Sequence, residues 1–304
     1  MTSTRGVPLI LALVVGLASH GPAYAQQRTL SAEEQARQQA EEARRLQAEL
    51  KAPRPIDAIN SVWLEELTWM EIRDAMAAGK TTVIVPTGGI EQNGPYLALG
   101  KHNYILQGAC EAIARALGDA LCAPIVKFVP EGDIERPSGH MRYPGTISLR
   151  EETFEALLDD IGSSLKAHGF RYIIYIGDSG GNQAGMKAVA ERQHQRWGHP
   201  IAQFIPDFYD YPGVRAYLER EFGIMQGNDG IHDDYQITAL MMTVDPAVVR
   251  YDQRVEAGKA TINGVSIAPK EQTIEVGKKL MQYRVEVTVK AINAALAGAN
   301  PSRP

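Results

Sequence analysis

Four short segments of this 304-residue chain carry side chains that are able to bind a metal ion or move a proton. Each segment combines such groups with glycine or proline, and two of them follow an apolar run directly. The residues are Glu91, Asn93, Tyr96 and His102; His140; Asp178, Ser179 and Asn182; and His232, Asp233 and Asp234. Carboxylates and imidazoles are ligands for zinc, manganese and iron, and they also serve as general acids and bases.

The third segment, GDSGGN at 177–182, differs by one letter from GDSGGP, which holds the nucleophile of trypsin-like serine proteases. In those enzymes the segment lies in a double β-barrel, and its His and Asp partners come earlier in the chain. This chain has helical patterns where such a barrel needs strands, and its two cysteines cannot supply the usual disulfides. We therefore do not expect a trypsin-like nucleophile, and a serine hydrolase acting through Ser179 is only the second enzyme class considered.

The elements that must position these residues alternate between apolar runs and amphipathic patterns. Strands are predicted at 81–89, 122–130, 171–177 and 201–209, and helices at 62–79, 103–117, 150–169, 183–195, 236–244 and 270–297. This alternation predicts an α/β fold, a three-layer sandwich with a mostly parallel central sheet. Ligands bind beyond the carboxyl ends of such strands, which is where Glu91 and Asp178 are expected.

In this context the chain resembles the creatininase (creatinine amidohydrolase) family over residues 62–295. The segment 91–97, EQNGPYL, resembles the family's EQHGPHL, and His140 with YPGTISL at 143–149 resembles its HxxFPGTISL. GDSGGN resembles the family's NGHGGN, and His232 with the following residues to Thr238 resembles its HAGxxETS. Four segments in family order are more specific than any one of them.

The resemblance implies a metal-dependent hydrolase of C–N bonds in small, often cyclic, amides, with two divalent ions, in a multimeric protein. Only Glu91 keeps its family identity among five expected ligands. Asn93 and Ser179 stand where histidines are expected, His102 where an aspartate is expected, and Ile237 where a glutamate is expected.

Two interpretations follow, a lost site on a non-catalytic binding or oligomeric scaffold, or a rebuilt site. The rebuilt site is favoured because new ionisable groups occur at the same loop ends. It would hold one or two ions of zinc, manganese or iron, through the ligands Glu91, His102, Asp178 and His232. The predicted catalytic residues are Asp178, His232, Asp234 and His140, and the predicted substrate-binding residues are Asn93, Tyr96, Ser179 and Asn182.

In this scheme a metal-activated water attacks an amide carbonyl. Asp178 or Asp234 is the predicted general base, and His232 or His140 is predicted to protonate the leaving nitrogen. The net charge of −5 gives no reason to expect a nucleic-acid partner or an anionic membrane surface. The expected partners are a small-molecule substrate and further copies of the chain.

The N-terminus has the pattern of a signal peptide. Arg5 precedes the apolar run 7–18, and Ala23-Tyr24-Ala25 is a small-x-small cleavage site. Residues 1–25 are therefore predicted to be removed, which places the protein in a periplasm or outside the cell. Residues 26–58 are predicted to be a polar helical or disordered linker, and 59–304 to be the α/β domain. Cys110 and Cys122 remain open between a disulfide and two separately buried thiols.

Overall fold

The computed structural model describes residues 31–198, 201–226 and 233–297, in two compact units that divide at residue 53. The described part of the first unit is helix α1, Ala32–Lys51, which has no buried residue. Ser31 begins the helix with a capping box. The Ser31 hydroxyl accepts a hydrogen bond from the Glu34 amide, and the Glu34 carboxylate accepts one from the Ser31 amide. The predicted linker is thus helical over these residues, while the predicted signal peptide lies outside the described residues.

A four-stranded sheet forms the centre of the second unit. In the order β2-β1-β3-β4 the strands are all parallel: β1 Thr82–Thr87, β2 Ala120–Cys122, β3 Tyr172–Gly177 and β4 Ala202–Phe204. Every residue of β1 and β3 is buried, as expected for central strands of a sheet that is covered on both faces. The predicted α/β fold with a parallel sheet is confirmed.

Helices cover this sheet. They are α2 Trp69–Ala77, α3 Lys101–Leu117, α4 Glu151–Ala167, α5 Gln183–Trp197, α6 Tyr211–Phe222, α7 Tyr235–Val244, α8 Tyr251–Glu256 and α9 Lys270–Leu296. Right-handed crossovers place α3 on one face and α4 with α5 on the other. In agreement, α3 packs on α9 while α4 packs on α5. The chain therefore reverses its winding direction between β1 and β3, which makes the gap between their carboxyl ends the expected ligand crevice.

Two hydrophobic clusters hold the layers together. The larger one surrounds the sheet, and the second lies among α3, α7 and α9, with the short hairpin β5 Thr261–Ile262 and β6 Val265–Ser266 at its edge. The helix α9 contributes to both clusters through Leu280 and Ile292. It thereby joins the sheet layer to the helical layer beside the carboxyl end of β3.

Three elements differ from the sequence prediction. The helix predicted at 62–79 begins only at α2, where Thr68 forms a capping box with Glu71. The strand predicted at 122–130 is reduced to β2 and single bridges at Val126 and Val129. The strand predicted at 201–209 ends at Phe204 and turns into a 3-10 helix, which Pro206 begins.

The structure also decides two questions outside the sheet. Cys110 on α3 and Cys122 at the end of β2 are joined in a disulfide, the alternative that the sequence left open. Within the described ranges, none of the helices combines the length and the apolar character that crossing a membrane would require.

Candidate active site

The candidate site lies at the switch point between β1 and β3. The chain leaves β1 through Gly88 and Gly89 to reach Glu91, and it leaves β3 directly into Asp178. A Cβ atom on Gly88 would collide with the Asn103 side chain, so a larger residue here would require Asn103 to move. Asn182 ties the two strand ends together, because its amide donates to the Thr87 hydroxyl (2.7 Å) and to the Gly88 carbonyl (3.1 Å).

A chain of buried charged groups crosses this point. Glu91 Oε1 accepts from Lys101 Nζ at 3.0 Å and lies 2.8 Å from His102 Nε2. The other ring nitrogen, His102 Nδ1, lies 2.8 Å from Asp178 Oδ2, and Asp178 Oδ1 accepts from Arg284 Nη2 at 2.6 Å. All five residues are at least 97 % buried. The network thus links β1, α3, β3 and α9 in one continuous path.

Asp178 is held in its ionised form by this network. Burial alone would raise the pKa of Asp178, but the Arg284 guanidinium and His102 outweigh it and bring the pKa below its usual value. Tyr211 also donates its hydroxyl to Asp178 Oδ2 at 3.1 Å. Both oxygens of Asp178 and both ring nitrogens of His102 are therefore engaged, so a ligand role for either residue would break existing contacts.

A second group of side chains meets Glu91 from the other direction. Ligand atoms of Glu91, Glu131 and His140 all lie within 4.8 Å of one another, and His140 Nε2 is 3.3 Å from Glu91 Oε2. Glu131 follows the bridge residue Val129, and its amide donates to Ser148 Oγ at 2.9 Å. Glu131 and His140 both come from the long connection between β2 and α4, whereas Glu91 follows β1, so their convergence depends on the completed fold.

Glu131 is a buried carboxyl group whose charged form is strongly disfavoured. Burial, together with the neighbouring Glu91 carboxylate, raises the pKa of Glu131 to about 9. Its Oε1 is buried and has no hydrogen-bond partner among the described residues, and Ser179 Oγ reaches Oε2 only at 3.5 Å. Two neighbouring buried carboxyl groups favour a shared proton or a nearby cation.

These groups open into a cavity of about 1000 Å³. Glu91, Glu131 and His140, which we call the triad, line this cavity together with Lys101 and Ser179. Two carboxylates with an imidazole form a donor set that suits zinc, manganese or iron, and the unpartnered Glu131 oxygen is available to contact such an ion. The residues present therefore fit one divalent ion, held by Glu91, Glu131 and His140.

The structure distributes the other predicted site residues between the cavity and its surroundings. Ser179 and Asp234 line the cavity. Asp234 also begins α7, where its Oδ1 accepts from the Ile237 amide at 2.8 Å, and burial raises its pKa. His232, predicted as both a ligand and a proton donor, lies outside the described residues.

Three residues that were predicted to bind substrate lie away from the cavity wall. The Asn93 amide donates to the carbonyls of Glu91 and Ala98 and thus shapes the loop that follows β1. The Arg254 guanidinium lies over the Tyr96 ring, with its Cζ atom 4.3 Å from the centre of that ring. Asn182 is used in joining the strand ends, as described above. A substrate contact by any of the three stays a prediction that these positions do not favour.

Three site residues were missed from the sequence, namely Lys101, Glu131 and Arg284. Lys101 had a readable signal, since a cation in the first turn of a helix opposes the helix dipole. Arg284 also had one, because it interrupts the buried stripe Val276, Leu280, Thr288 and Ile292 of α9. Glu131 lies in an irregular loop, and no periodic pattern marks it.

Comparison with known proteins places this geometry in a family. The sequence model described as creatinine amidohydrolase matches residues 65–292. The chain belongs to the creatininase family. A creatinine amidohydrolase of Pseudomonas putida is 24 % identical over 69 % of this chain and 82 % of its own length. A mycofactocin precursor peptide peptidase of Mycolicibacterium smegmatis is 31 % identical over 35 % of this chain and 42 % of its own length.

Solved structures of creatininases share the fold. A mutant creatininase of Type II covers 77 % of this chain and 98 % of its own, with a TM-score of 0.57 and 24 % identity. Two others with TM-scores of 0.54 are a manganese form and a mutant of Zn-Zn type. Membership of the creatininase family confirms the predicted resemblance and supports the predicted class, a metal-dependent amidohydrolase.

Proposed function

We propose that this chain hydrolyses the C–N bond of an amide at a site built from Glu91, Glu131 and His140 around one divalent ion. The observation that carries the proposal is the buried, unpartnered oxygen of Glu131 beside a second carboxylate and an imidazole. The ion chemistry that such a site supplies, when loaded, is polarisation of the amide carbonyl and a lowered pKa of water.

The chain's own residues account for positioning and proton transfer. Lys101 and His102 hold the Glu91 carboxylate in place. Asp178, which itself accepts from Arg284, contacts the other ring nitrogen of His102 and fixes the orientation of the ring. Asp234 lines the cavity, and burial raises its pKa, which makes its carboxylate a stronger base. We assign to Asp234 the transfer of a proton from water to the leaving nitrogen, while Asp178 orients His102.

The substrate proposal rests on the cavity and on the relatives. Creatinine amidohydrolase and a precursor peptide peptidase both cleave an amide C–N bond, as their names state. A cavity of about 1000 Å³ is at the upper end of the range for small-molecule sites. It therefore has room for a small cyclic amide and also for the end of a short peptide, and we propose amides within this size range as substrates.

The test combines metal content with turnover. The tag-free protein is dialysed against manganese or zinc, its bound ion is counted by inductively coupled plasma mass spectrometry, and released amine is measured on a panel of cyclic amides and dipeptides. Glu131→Gln should lose the ion and the activity. Asp133→Asn, a change on the wall of the same cavity outside the triad, is the matched control and should keep both.

Two outcomes would refute this function. If wild-type protein and Glu131→Gln bind equal amounts of ion, the triad is not the site. If folded wild-type protein binds no ion and cleaves nothing in the panel, the alternative of a non-catalytic binding protein on the same scaffold is favoured. Shifts in melting temperature with the same amides, without turnover, would then identify its ligands.

We also propose that the protein is exported and cleaved after Ala25. The N-terminal pattern supports this proposal, and so does the Cys110–Cys122 disulfide, since disulfides persist mainly in oxidising compartments. N-terminal sequencing of the protein from its native host should begin at Gln26. An intact Met1 on the mature protein would contradict the proposal. Assembly into a homo-oligomer is likewise proposed, and light scattering measures it directly.

A further inference from the structure

Lys101 is the least expected residue of the site. It is 98 % buried, although lysine is among the residues most rarely buried. It stands in the first turn of α3, where its charge opposes the positive end of the helix dipole. A position that is unfavourable on both counts indicates that the surrounding site stabilises the ammonium group.

One carboxylate contacts this ammonium, and two further carboxyl groups interact with it electrostatically. Its Nζ is 3.0 Å from Glu91 Oε1, and Lys101 lines the same cavity as Glu131 and Asp234. Burial and the Glu91 carboxylate raise the pKa of Glu131, and Lys101 is the main opposing charge. Burial also raises the pKa of Asp234, and the charge of Lys101 lowers it in part. The ammonium therefore serves as a common counter-charge for the acidic groups of the cavity.

The position of Lys101 also limits what else Glu91 can bind. Glu91 Oε1 already contacts both Lys101 and His102, and its other oxygen, Oε2, faces His140. An ion held by the triad would thus share the Glu91 carboxylate with a fixed positive charge. Like charges in a site of low dielectric repel each other strongly.

We propose that Lys101 is a built-in cation that takes the place of a second metal ion, so that the site holds one ion at most and holds it more weakly than the same carboxylates would alone. This inference rests on the proposed function for the identity of the triad. It assigns to this chain a one-ion site, whereas a related solved structure is of Zn-Zn type.

The test measures ion affinity rather than activity. Isothermal titration with manganese or zinc gives the dissociation constant and the stoichiometry for wild-type protein, Lys101→Met and Lys101→Gln. Methionine has nearly the same length without the charge, and glutamine keeps a donor for Glu91. Lys187→Met, at an exposed position on α5, is the matched control. Circular dichroism establishes which variants fold, and either Lys101 variant suffices.

We expect at most one equivalent of ion in the wild type. We also expect a dissociation constant at least about tenfold lower in the Lys101 variants, because tenfold corresponds to only a modest change in repulsion. The control should match the wild type. Two equivalents in the wild type, or an unchanged or weaker affinity in folded Lys101 variants, would overturn the inference.

The same experiment separates this inference from the proposed function. If the wild type binds no ion while Lys101→Met does, the ammonium excludes the ion: the inference holds, and the ion-dependent hydrolase is refuted. If the wild type binds one ion and the variants bind it no more tightly, the hydrolase proposal survives and the role of Lys101 does not. If none of the folded proteins binds an ion, both fail.

Discussion

Replacing Arg284 by methionine should destabilise the protein far more than removing an exposed arginine with the same salt-bridge distance. Arg284 Nη2 lies 2.6 Å from Asp178 Oδ1, and the exposed fractions of the two side chains are 3 % and 0 %. Methionine fills a similar volume but leaves Asp178 with a buried charge that, among the described side chains, His102 and Tyr211 contact. The change therefore isolates the cost of an uncompensated carboxylate.

The expected magnitude follows from the burial of the pair. Removing one partner of a buried ion pair costs about 3–5 kcal/mol, because the remaining charge is neither hydrated nor neutralised. For a unit of this size, about 1 kcal/mol corresponds to roughly 2–4 °C in melting temperature, which gives a loss of roughly 6–20 °C. Asp178→Asn combined with Arg284→Met should recover part of this loss, since no buried charge then remains.

Urea unfolding followed by circular dichroism measures these differences, with the disulfide kept oxidised. The matched control is Arg192→Met, which removes a bridge to Glu155 of the same length, 2.6 Å, between side chains that are 44 % and 25 % exposed. That bridge should contribute less than about 1 kcal/mol. If the two single variants differ by less than about 1 kcal/mol, or if the double variant is the least stable, the account of Asp178 as a buried charge is wrong.

Three further predictions follow from particular contacts. Because the pKa of Asp178 is lowered below 3.8 in the folded state, the stabilisation by its ionised form is present above about pH 4 and is lost as the pH falls. The wild type should therefore lose unfolding free energy between pH 4 and 2 more steeply than Asp178→Asn. Urea unfolding with the same pH dependence in both proteins would contradict this prediction. Reducing the Cys110–Cys122 disulfide, which closes a loop with a sequence separation of 12, should lower the free energy of unfolding by about 3 kcal/mol. In a thermal melt, the double variant Cys110→Ala, Cys122→Ala should not respond to reductant. Gly181→Ala should destabilise the protein by about 1–3 kcal/mol in urea unfolding, because the new Cβ would collide with a backbone carbonyl. Gly108→Ala on α3 has ordinary contact distances and should be neutral or stabilising by up to about 1 kcal/mol. Equal effects of the two changes would refute the steric argument.

The sheet and the edge that bears the site could be read from the sequence because they depend on local patterns. β1 and β3 are largely apolar runs, which are typical of buried parallel strands, and glycine at the end of each run comes shortly before an acidic residue. This was sufficient to place Glu91 and Asp178 at one edge. It was also sufficient to interpret GDSGGN as a turn of an α/β site, where Ser179 contacts Glu131 and accepts from the Gly181 amide.

The charge network was not predictable because it depends on distant partners. The sequence separation between Asp178 and Arg284 is 106, and between His102 and Asp178 it is 76. Both His102 and Asp178 are residue types that bind metals, but in the structure their polar atoms contact Glu91, Tyr211, Arg284 and each other. Glu131 shows the converse, since an ordinary loop carboxylate becomes a candidate ligand only after the fold buries it beside Glu91.

The contact between Asp178 and Arg284 also sets an order of events during synthesis. A ribosome adds Asp178 and the strand before it long before it adds the arginine that neutralises it, since 105 residues lie between them. Until α9 has been made, the nascent sheet edge has a carboxylate without its main counter-charge. The network is therefore completed last, by α9, and a chain that is truncated before Arg284 would carry the whole four-stranded sheet and an unfinished centre.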